Sequence, residues 1–242
     1  MWQSTKWVDW YTGARIWRCR NCSKSHYQTE EPPQGLKVPP KILYLDIETA
    51  LMRVFVYDLY DESNKHISKD MIERSRFIVN WAAAWVTPEE YTIKGRIKTG
   101  VVTQKEAKRQ NDKRIMQRLF DLMDESDYIC GHNVKNFDEK IIKWRFLKHK
   151  MGYPAESKKV DTLTLARRTK PESRGLEHIS VELGGKPKKG LRAHEWREIV
   201  EKGTPRLLNK ANKYCVGDVK EGVTVLRHLV KAEEQSGKVV FK

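Results

Sequence analysis

Two acidic residues, Asp46 and Glu48, stand two positions apart inside the apolar run KILYLDIETA (41–50). In an extended strand, residues i and i+2 face the same side, so both carboxylates project together while Leu45 and Ile47 face a core. Burying such charges without partners is costly. A divalent cation that prefers hard oxygen ligands, Mg²⁺ or Mn²⁺, would remove this cost. The alternative is a strand end whose acids lie in solvent.

Two later segments supply further acids. In GHNVKNFDEKII (131–142), Asp138 falls at the first turn of a predicted helix, where an isolated acid usually caps the helix or interacts with its dipole. In YCVGD (214–218), Tyr214 and Asp218 are four residues apart, on the same face of a helix. A Tyr/Asp pair that points inward needs hydrogen bonds or a metal.

The elements that position these residues follow an α/β order from residue 41 onward. Strands are predicted at 41–48, 53–59, 77–86 and 91–102, as an antiparallel meander, and again at 128–133. Helices are predicted at 103–125, 137–150, 176–185 and 204–235, the last with a break near Gly217 or Gly222. A further element begins near residue 160, with Asp161 or Thr162 as its cap.

The acidic segments together resemble the three exonuclease motifs of the DEDD superfamily, the DnaQ-like 3′–5′ exonucleases, over residues 41–235. DTLTLARR (161–168) and the stretch from LGGKPKKG to HEWREIVEKG (183–203) are also similar to predicted exonucleases of phage and bacterial genomes. A tyrosine in the third motif, where another branch has histidine, indicates the DEDDy branch. The motif residues are, in chain order, Asp46 and Glu48, then Asn133, Phe137 and Asp138, and finally Tyr214 and Asp218.

This resemblance implies a ribonuclease H-like α/β fold, a mixed sheet flanked by helices. It also implies two Mg²⁺ or Mn²⁺ ions, which clamp the attacking and leaving oxygens of a phosphodiester displacement. Tyr214 would orient the attacking water, because a free tyrosine, with a pKa of about 10, is a poor base. The metal ligands implied are Asp46, Glu48, Asp138 and Asp218.

Substrate contacts are implied for Asn133, Phe137, Thr49 and His132. For His132 a structural role in the scaffold stays open as the alternative. A frayed single-stranded 3′ end would be held by aromatic stacking and by phosphate contacts. The basic segments 167–174 and 186–192, which precede the third motif, are the expected phosphate-binding surfaces.

Residues 1–39 differ from the rest and are predicted to form a small N-terminal aromatic arm with a Pro-rich linker, before an exonuclease domain at 40–242. The arm contains Cys19-x-x-Cys22 and His26, which resemble half of a zinc ribbon. A structural zinc needs four ligands, so these three residues would need a fourth from elsewhere. The alternatives are an aromatic turn packed on the core, or an arm that contacts nucleic acid.

The composition favours a nucleic-acid partner. The formal net charge is +15 over 242 residues, which suits a polyanion, although a solvated basic surface is the alternative. No apolar run approaches the roughly 18 residues of a membrane span, and the N-terminus lacks a signal-peptide core. Four cysteines do not make a disulfide framework in a chain this long, so we expect a cytoplasmic protein, in the host cytoplasm if it is phage-encoded.

The sequence therefore predicts a metal-dependent 3′–5′ exonuclease that acts on single-stranded or frayed DNA, with a polymerase or another replication protein as a possible partner. One alternative is a 3′–5′ exoribonuclease, since the same residues serve both sugars. An alternative of another class is a non-catalytic nucleic-acid-binding module on an exonuclease scaffold. Endonuclease activity also stays open.

Overall fold

The computed structural model describes residues 2–8, 15–19, 39–57, 67–187 and 190–241, and of the first two ranges it describes only the backbone. There, strands β1 (Trp2–Val8) and β2 (Arg15–Cys19) pair antiparallel. The predicted zinc ligands Cys22 and His26 lie outside the described residues, as does the side chain of Cys19. The zinc knuckle and the domain boundary near residue 39 therefore stay predictions.

A five-stranded mixed sheet confirms the predicted α/β fold. After β3 (Ile42–Thr49), two short strands, β4 (Arg53–Val54) and β5 (Ile72–Arg74), pair only with each other. The other strands of the sheet are β6 (Ile78–Val86), β7 (Ile93–Val101), β8 (Tyr128–Gly131) and β9 (Lys158–Asp161). Their spatial order is β7-β6-β3-β8-β9. The β3, β6 and β7 strands are antiparallel, and β8 and β9 run parallel to β3.

The predicted meander is correct for three of its four segments. The segment 53–59 does not join the main sheet, because only Arg53 and Val54 form a strand and their partner is β5. The aromatic side chains of this segment are not buried: Phe55 is 62% exposed and Tyr57 is 90% exposed. An alternating apolar pattern thus predicted an extended conformation there without predicting which strand would pair with it.

Seven α-helices lie in the described residues. They are α1 (Gln104–Lys108), α2 (Lys113–Glu125), α3 (Asp138–Lys148), α4 (Thr162–Ala166), α5 (Leu176–Glu182), α6 (Ala193–Lys202) and α7 (Pro205–Gln235). Side chains from α2, α3, α6 and the start of α7 form one core with Leu43 and Leu45 of β3. The rest of α7 packs on the opposite face, against Ile42 and Tyr44. No helix of these described ranges has the length and the apolar character needed to span a membrane.

The helix predictions need correction in several places. The segment 103–125 forms two helices rather than one, because a Thr103 capping box begins α1 and Gln110 then adopts a left-handed conformation with φ +53°. The second helix, α2, follows Asp112. The carboxylate of Asp112 is buried and accepts a hydrogen bond from the N–H of Ile78 at 2.8 Å. The helix α6 was not predicted. Its amphipathic face, with Ile199 and Val200 buried, is the signal that identifies it.

The long helix α7 is continuous, which contradicts the break predicted at Gly217 or Gly222. Gly222 serves close packing instead. A Cβ atom at this position would overlap the hydroxyl group and the ring of Tyr44 on β3. The missing side chain therefore lets the helix lie directly on the central strand, and this contact fixes which residues of α7 face the sheet.

Replacing Gly222 by alanine should lower the free energy of unfolding by about 1–3 kcal/mol, because the added methyl group overpacks the helix–sheet contact. Helix propensity alone predicts the opposite sign, a gain of about 1 kcal/mol. Urea denaturation of the variant measures the difference. As a control, Lys220→Ala on the exposed side of α7 should change stability by less than about 0.5 kcal/mol. A more stable Gly222→Ala protein would contradict the close contact.

Candidate active site

The two acids of the first segment lie where β3 leaves its parallel neighbour. The β8 strand pairs with β3 only from Ile42 to Tyr44. Beyond Tyr44, the side of β3 that faces β8 is free to receive another group. Both Asp46 and Glu48 lie in this second half of the strand and are partly buried.

Asp138 fills part of the space beside β3. The chain that follows β8 turns back, and the side chain of Asp138, at the start of α3, accepts the backbone N–H of Ile47 at 3.2 Å. This N–H lies between the two acids in sequence and has no partner on β8. Asp138 is therefore held at the strand by a hydrogen bond and is itself buried, with 3% of its surface exposed.

Asp218 reaches the same place from α7. The close contact at Gly222 seats α7 on β3, and Asp218 lies one helical turn before it. Asp46, Glu48 and Asp218 each offer a carboxylate oxygen, and these three oxygens lie within 4.8 Å of one another. The structure therefore brings three of the four predicted acids into one group, and Asp138, at the start of α3, is hydrogen-bonded to the strand that carries two of them.

The electrostatics of this group are unfavourable for the acids alone. Burial raises the pKa of Asp46 well above its usual range, and the charges of Asp138, Asp218 and Glu48 raise it further. The thiol of Cys215 donates to Asp46 Oδ2 at 3.2 Å and opposes this rise. The pKa of Asp138 is raised to about 7, chiefly by burial. Acids held this close would be stabilised by a positive charge among them.

The donor set fits a hard divalent cation. It consists of carboxylate oxygens, which suit Mg²⁺ or Mn²⁺, and the single sulfur nearby, Cys215 Sγ, donates a hydrogen bond to Asp46. Burial raises the pKa of the Cys215 thiol, which favours the protonated form that donates this hydrogen bond. Cys215 is buried, and it also contacts a candidate metal ligand.

Tyr214 lies one turn before Asp218 and is half-buried. Its ring is next to Gly190, where a Cβ atom would lie 3.4 Å from Tyr214 Cε2. Gly190 belongs to the predicted phosphate-binding segment 186–192, so at least this residue of the segment lies next to the tyrosine.

The four predicted substrate contacts lie in different environments. Thr49 ends β3 and is partly buried, directly after an irregularity in the pairing with β6. Phe137 is 38% exposed next to Asp138, as a substrate contact requires. Asn133 has a left-handed backbone, with φ +65°, and its N–H donates to Asp161 Oδ1 at 2.9 Å. The Asn133 conformation is therefore fixed by a carboxylate.

His132 is tied to the scaffold. Its Nδ1 atom is 2.9 Å from Thr162 Oγ1, and its Nε2 atom is 2.9 Å from the carbonyl oxygen of Arg174. Burial lowers the pKa of His132, so the neutral ring is favoured. With both ring nitrogens engaged, this environment favours the structural alternative for His132 over a contact with substrate.

Asn80 on β6 is a residue of this site that sequence reasoning missed. It is the direct cross-strand partner of Glu48, so the two side chains share one face of the sheet. Asn80 is fully buried, and neither its amide nitrogen nor its amide oxygen has a hydrogen-bond partner in the described part of the chain. Its signal was present in the sequence: it is the only polar residue in the strand IVNWAAAWV (78–86).

Replacing Asn80 by valine should raise the free energy of unfolding of the metal-free protein by about 1 kcal/mol, since a buried amide without partners costs about 1–3 kcal/mol. Valine also suits a strand. Urea denaturation in EDTA measures the effect, with Thr99→Val on β7 as a control substitution in the same sheet. A destabilised Asn80→Val protein would show that the amide has a partner, and Glu48 is the nearest candidate across the strand pair.

Comparison with known proteins agrees with this geometry. A family model described as the RNase_H superfamily matches residues 90–230, which include Asp138, Tyr214 and Asp218 but not the acids of β3. No curated protein matches the sequence.

Two solved structures match parts of this chain. The family B DNA polymerase from the hyperthermophilic archaeon Pyrobaculum calidifontis has a TM-score of 0.54 and 16% identity, over 81% of this chain and 25% of the polymerase. The zinc-bound E. coli ExoI–ssDNA complex has a TM-score of 0.49 and 14% identity, over 82% of this chain and 42% of ExoI. This chain therefore spans less than half the length of either protein, and the likeness to the polymerase concerns the fold.

Proposed function

This chain belongs to the ribonuclease H superfamily, and from that premise we propose that it is a metal-dependent 3′–5′ exonuclease that hydrolyses single-stranded or frayed DNA. The observation that carries the proposal is the group of three carboxylates, from β3 and α7, whose oxygens lie within 4.8 Å of one another. These are residues of the first and third exonuclease motifs. The residue of the second motif, Asp138, is hydrogen-bonded between the two acids of the first.

The divalent ions would be held by Asp46, Glu48 and Asp218, with Asp138 as the fourth ligand. When bound, they neutralise the charge that develops on the scissile phosphate and lower the pKa of a water molecule. The chain itself sets the positions of the ligands. The N–H of Ile47 orients Asp138, and the thiol of Cys215 orients Asp46. Such partners of the ligands usually affect metal affinity about 10- to 100-fold.

Tyr214 is proposed to hold the attacking water by a hydrogen bond. It shares a helix face with Asp218, so its hydroxyl group is carried by the same rigid element as a metal ligand. Asn133 and Phe137 are proposed to hold the terminal nucleotide, Phe137 by stacking. The loop that carries them is fixed by Asp161, which accepts the N–H groups of Asn133 and Lys135 at 2.9 and 3.2 Å.

The 3′–5′ direction and the DEDDy assignment rest on the resemblance of the three ordered motifs. Those motifs serve both sugars, so the comparison of DNA with RNA oligonucleotides decides the substrate. An enzyme of this kind acts on polymerase products, so a polymerase or another replication protein is the proposed partner, and the cytoplasm is the proposed location. A binding module without catalysis would not need all four acids and the tyrosine. Their joint presence in the sequence, with three of the acids in one group, therefore favours the enzyme.

The test uses 5′-labelled DNA and RNA oligonucleotides of equal sequence, incubated with Mg²⁺, Mn²⁺ or EDTA. We expect a ladder that shortens from the 3′ end, requires the metal and is stronger on DNA. A matching ladder on RNA alone would make the protein an exoribonuclease. Binding of both oligonucleotides with no cleavage in either metal would overturn the proposed activity and favour the binding module.

A further inference from the structure

We propose that a cleft at the β9 edge of the sheet binds one nucleotide unit, a phosphate together with its base, outside the catalytic group. The cleft has a volume of about 520 Å³, within the range of about 300–1,000 Å³ that is usual for ligand sites. Its walls come from β9, α4, the end of α7 and the residues that follow α7. The choice of a nucleotide as occupant rests on the proposed nuclease function.

Four cations line this cleft: Lys135, Lys159, Arg168 and Lys238. Three of them are already held in place. Arg168 and Lys238 both pair with Glu233 Oε2, at 2.7 and 3.1 Å, and Lys159 pairs with Glu139 at 3.1 Å. The side chains of Arg168 and Lys238 nevertheless stay 51% and 61% exposed, so they keep N–H groups for another acceptor. Cations fixed before binding lose little entropy when an anion arrives.

The two acids of the lining do not cancel this charge. Glu233 faces Arg168 and Lys238, and Asp161 faces backbone N–H groups of Asn133, Lys135 and Leu163. Lys135 has no ion-pair partner among the described residues and is exposed. It is the cation of the cleft best placed to meet a phosphate, and charge-assisted hydrogen bonds to phosphate are among the strongest that proteins make.

The remaining wall of the cleft is apolar. Val160 on β9 and Leu165 on α4 are buried at its base, and Val239 and Val240 follow α7 at its side. A surface that only attracted phosphate would not need these side chains. Cations beside an apolar wall match a nucleotide, which presents a charged phosphate and a flat, largely apolar base.

The cleft is linked to the catalytic group through Asp161. This carboxylate lines the cleft and also fixes the loop that runs from Asn133 to Asp138. Lys135 lies on that loop, three residues before Asp138. A nucleotide held by Lys135 would therefore contact the same loop that supplies a ligand of the catalytic group, so the cleft is placed to hold a further nucleotide of the strand or the released nucleotide.

The experiment measures binding in EDTA, where cleavage does not occur, with the full chain carrying Asp218→Asn. The probes are deoxyadenosine monophosphate, inorganic phosphate and a labelled single-stranded oligonucleotide. In this background, Lys135→Glu removes the cation without an ion-pair partner, and Thr164→Trp fills the cleft from an exposed position of α4. The control is Lys94→Glu, an exposed lysine on β7 at the opposite edge of the sheet.

We expect both cleft variants to bind the mononucleotide about tenfold more weakly, a change of about 1.4 kcal/mol, while Lys94→Glu stays within about twofold. If the strand occupies the cleft, oligonucleotide affinity falls as well, and Lys135→Glu reduces the slope of log K against log salt by about 0.7. If the free nucleotide occupies it, oligonucleotide affinity is unchanged. Both results support the site and identify the source of its ligand.

The proposal is overturned if the mononucleotide binds to both cleft variants as tightly as it binds to Lys94→Glu. It is also overturned if inorganic phosphate binds as tightly as the mononucleotide, because the base would then contribute nothing to binding. Circular dichroism of each variant verifies folding, and Lys135→Glu alone decides the outcome if Thr164→Trp does not fold. Because binding is measured without metal, a wild-type protein that lacks nuclease activity would overturn the proposed function without affecting this result.

Discussion

Replacing Asp218 by asparagine is expected to abolish metal-dependent cleavage and, at the same time, to stabilise the metal-free protein. The carboxylate of Asp218 is one of three whose oxygens lie within 4.8 Å of one another, and its charge helps to raise the pKa of Asp46. Asparagine keeps the shape but removes the charge. The loss of a metal ligand should lower the cleavage rate at least about 10³-fold, which corresponds to about 4 kcal/mol of transition-state stabilisation.

The gain in stability has a separate physical reason. In the metal-free protein, Asp218 is buried near Asp46 and Glu48, and like charges in a buried site oppose folding. Removing one of them should raise the free energy of unfolding in EDTA by about 1 kcal/mol. An acid that served only structure would show the reverse, a loss of stability on replacement. The two effects together therefore separate a functional site from a structural one.

Two measurements check this prediction. Cleavage of the labelled oligonucleotide gives the rate, and urea denaturation, with and without Mg²⁺, gives the stability. Wild-type protein at a metal concentration of about 100 Kd should gain about 2.7 kcal/mol from the metal, and Asp218→Asn should gain less. The matched control is Asp121→Asn, an exposed acid on α2. Near-normal cleavage by Asp218→Asn would refute the assignment of the acidic group.

The residues of the site were predictable from sequence to the extent that local patterns determined them. The i, i+2 spacing of Asp46 and Glu48 predicted a shared strand face, and the i, i+4 spacing of Tyr214 and Asp218 predicted a shared helix face. That Asp138 joins them depends on the parallel pairing of β8 with β3 and on where this pairing ends. No local pattern contains that register. The convergence of Asp138 with the other acids was therefore inferred only from the resemblance of the ordered motifs.

The features that sequence reasoning missed depend on contacts between distant segments. Gly222 suggested a helix break, but the glycine permits contact with Tyr44, which lies 178 positions earlier. Asn80 was an unremarked polar residue in an apolar strand until its pairing with Glu48 was known. Asp112 was assigned to the middle of a helix, whereas its partners come from β6 and α3. In each case the partner, rather than the local sequence, determines the role.

A buried ion pair outside the acidic group, between Asp112 and Arg145, gives the largest expected effect on stability. Asp112 is fully buried. Its Oδ1 atom accepts a hydrogen bond from Arg145 Nη2 at 2.6 Å and also contacts His149 Nε2. Its other oxygen accepts the N–H of Ile78. Arg145 is also buried, with 2% of its side chain exposed. This cluster joins the start of α2, the end of α3 and the first residue of β6.

Replacing Asp112 by alanine should lower the free energy of unfolding by about 3–5 kcal/mol, because the Arg145 charge would stay buried without its partner. That is a large part of the roughly 5–15 kcal/mol that stabilises a typical domain. The double variant Asp112→Leu with Arg145→Met should recover most of the loss, since removing both charges removes the desolvation penalty. As a control, Glu125→Gln, which breaks the exposed ion pair with Lys41, should cost less than about 1 kcal/mol.

Urea denaturation of the wild type and the three variants measures this order of stabilities. Cleavage per folded molecule should be unchanged in the variants, since none of these residues contacts the acidic group among the described contacts. If Asp112→Ala were as stable as Glu125→Gln, the buried pair would contribute no more than a surface pair, and its role in joining β6, α2 and α3 would be wrong. If the double variant were as unstable as Asp112→Ala, the loss would come from the N–H of Ile78, which both variants leave without an acceptor, and not from the unpaired charge of Arg145.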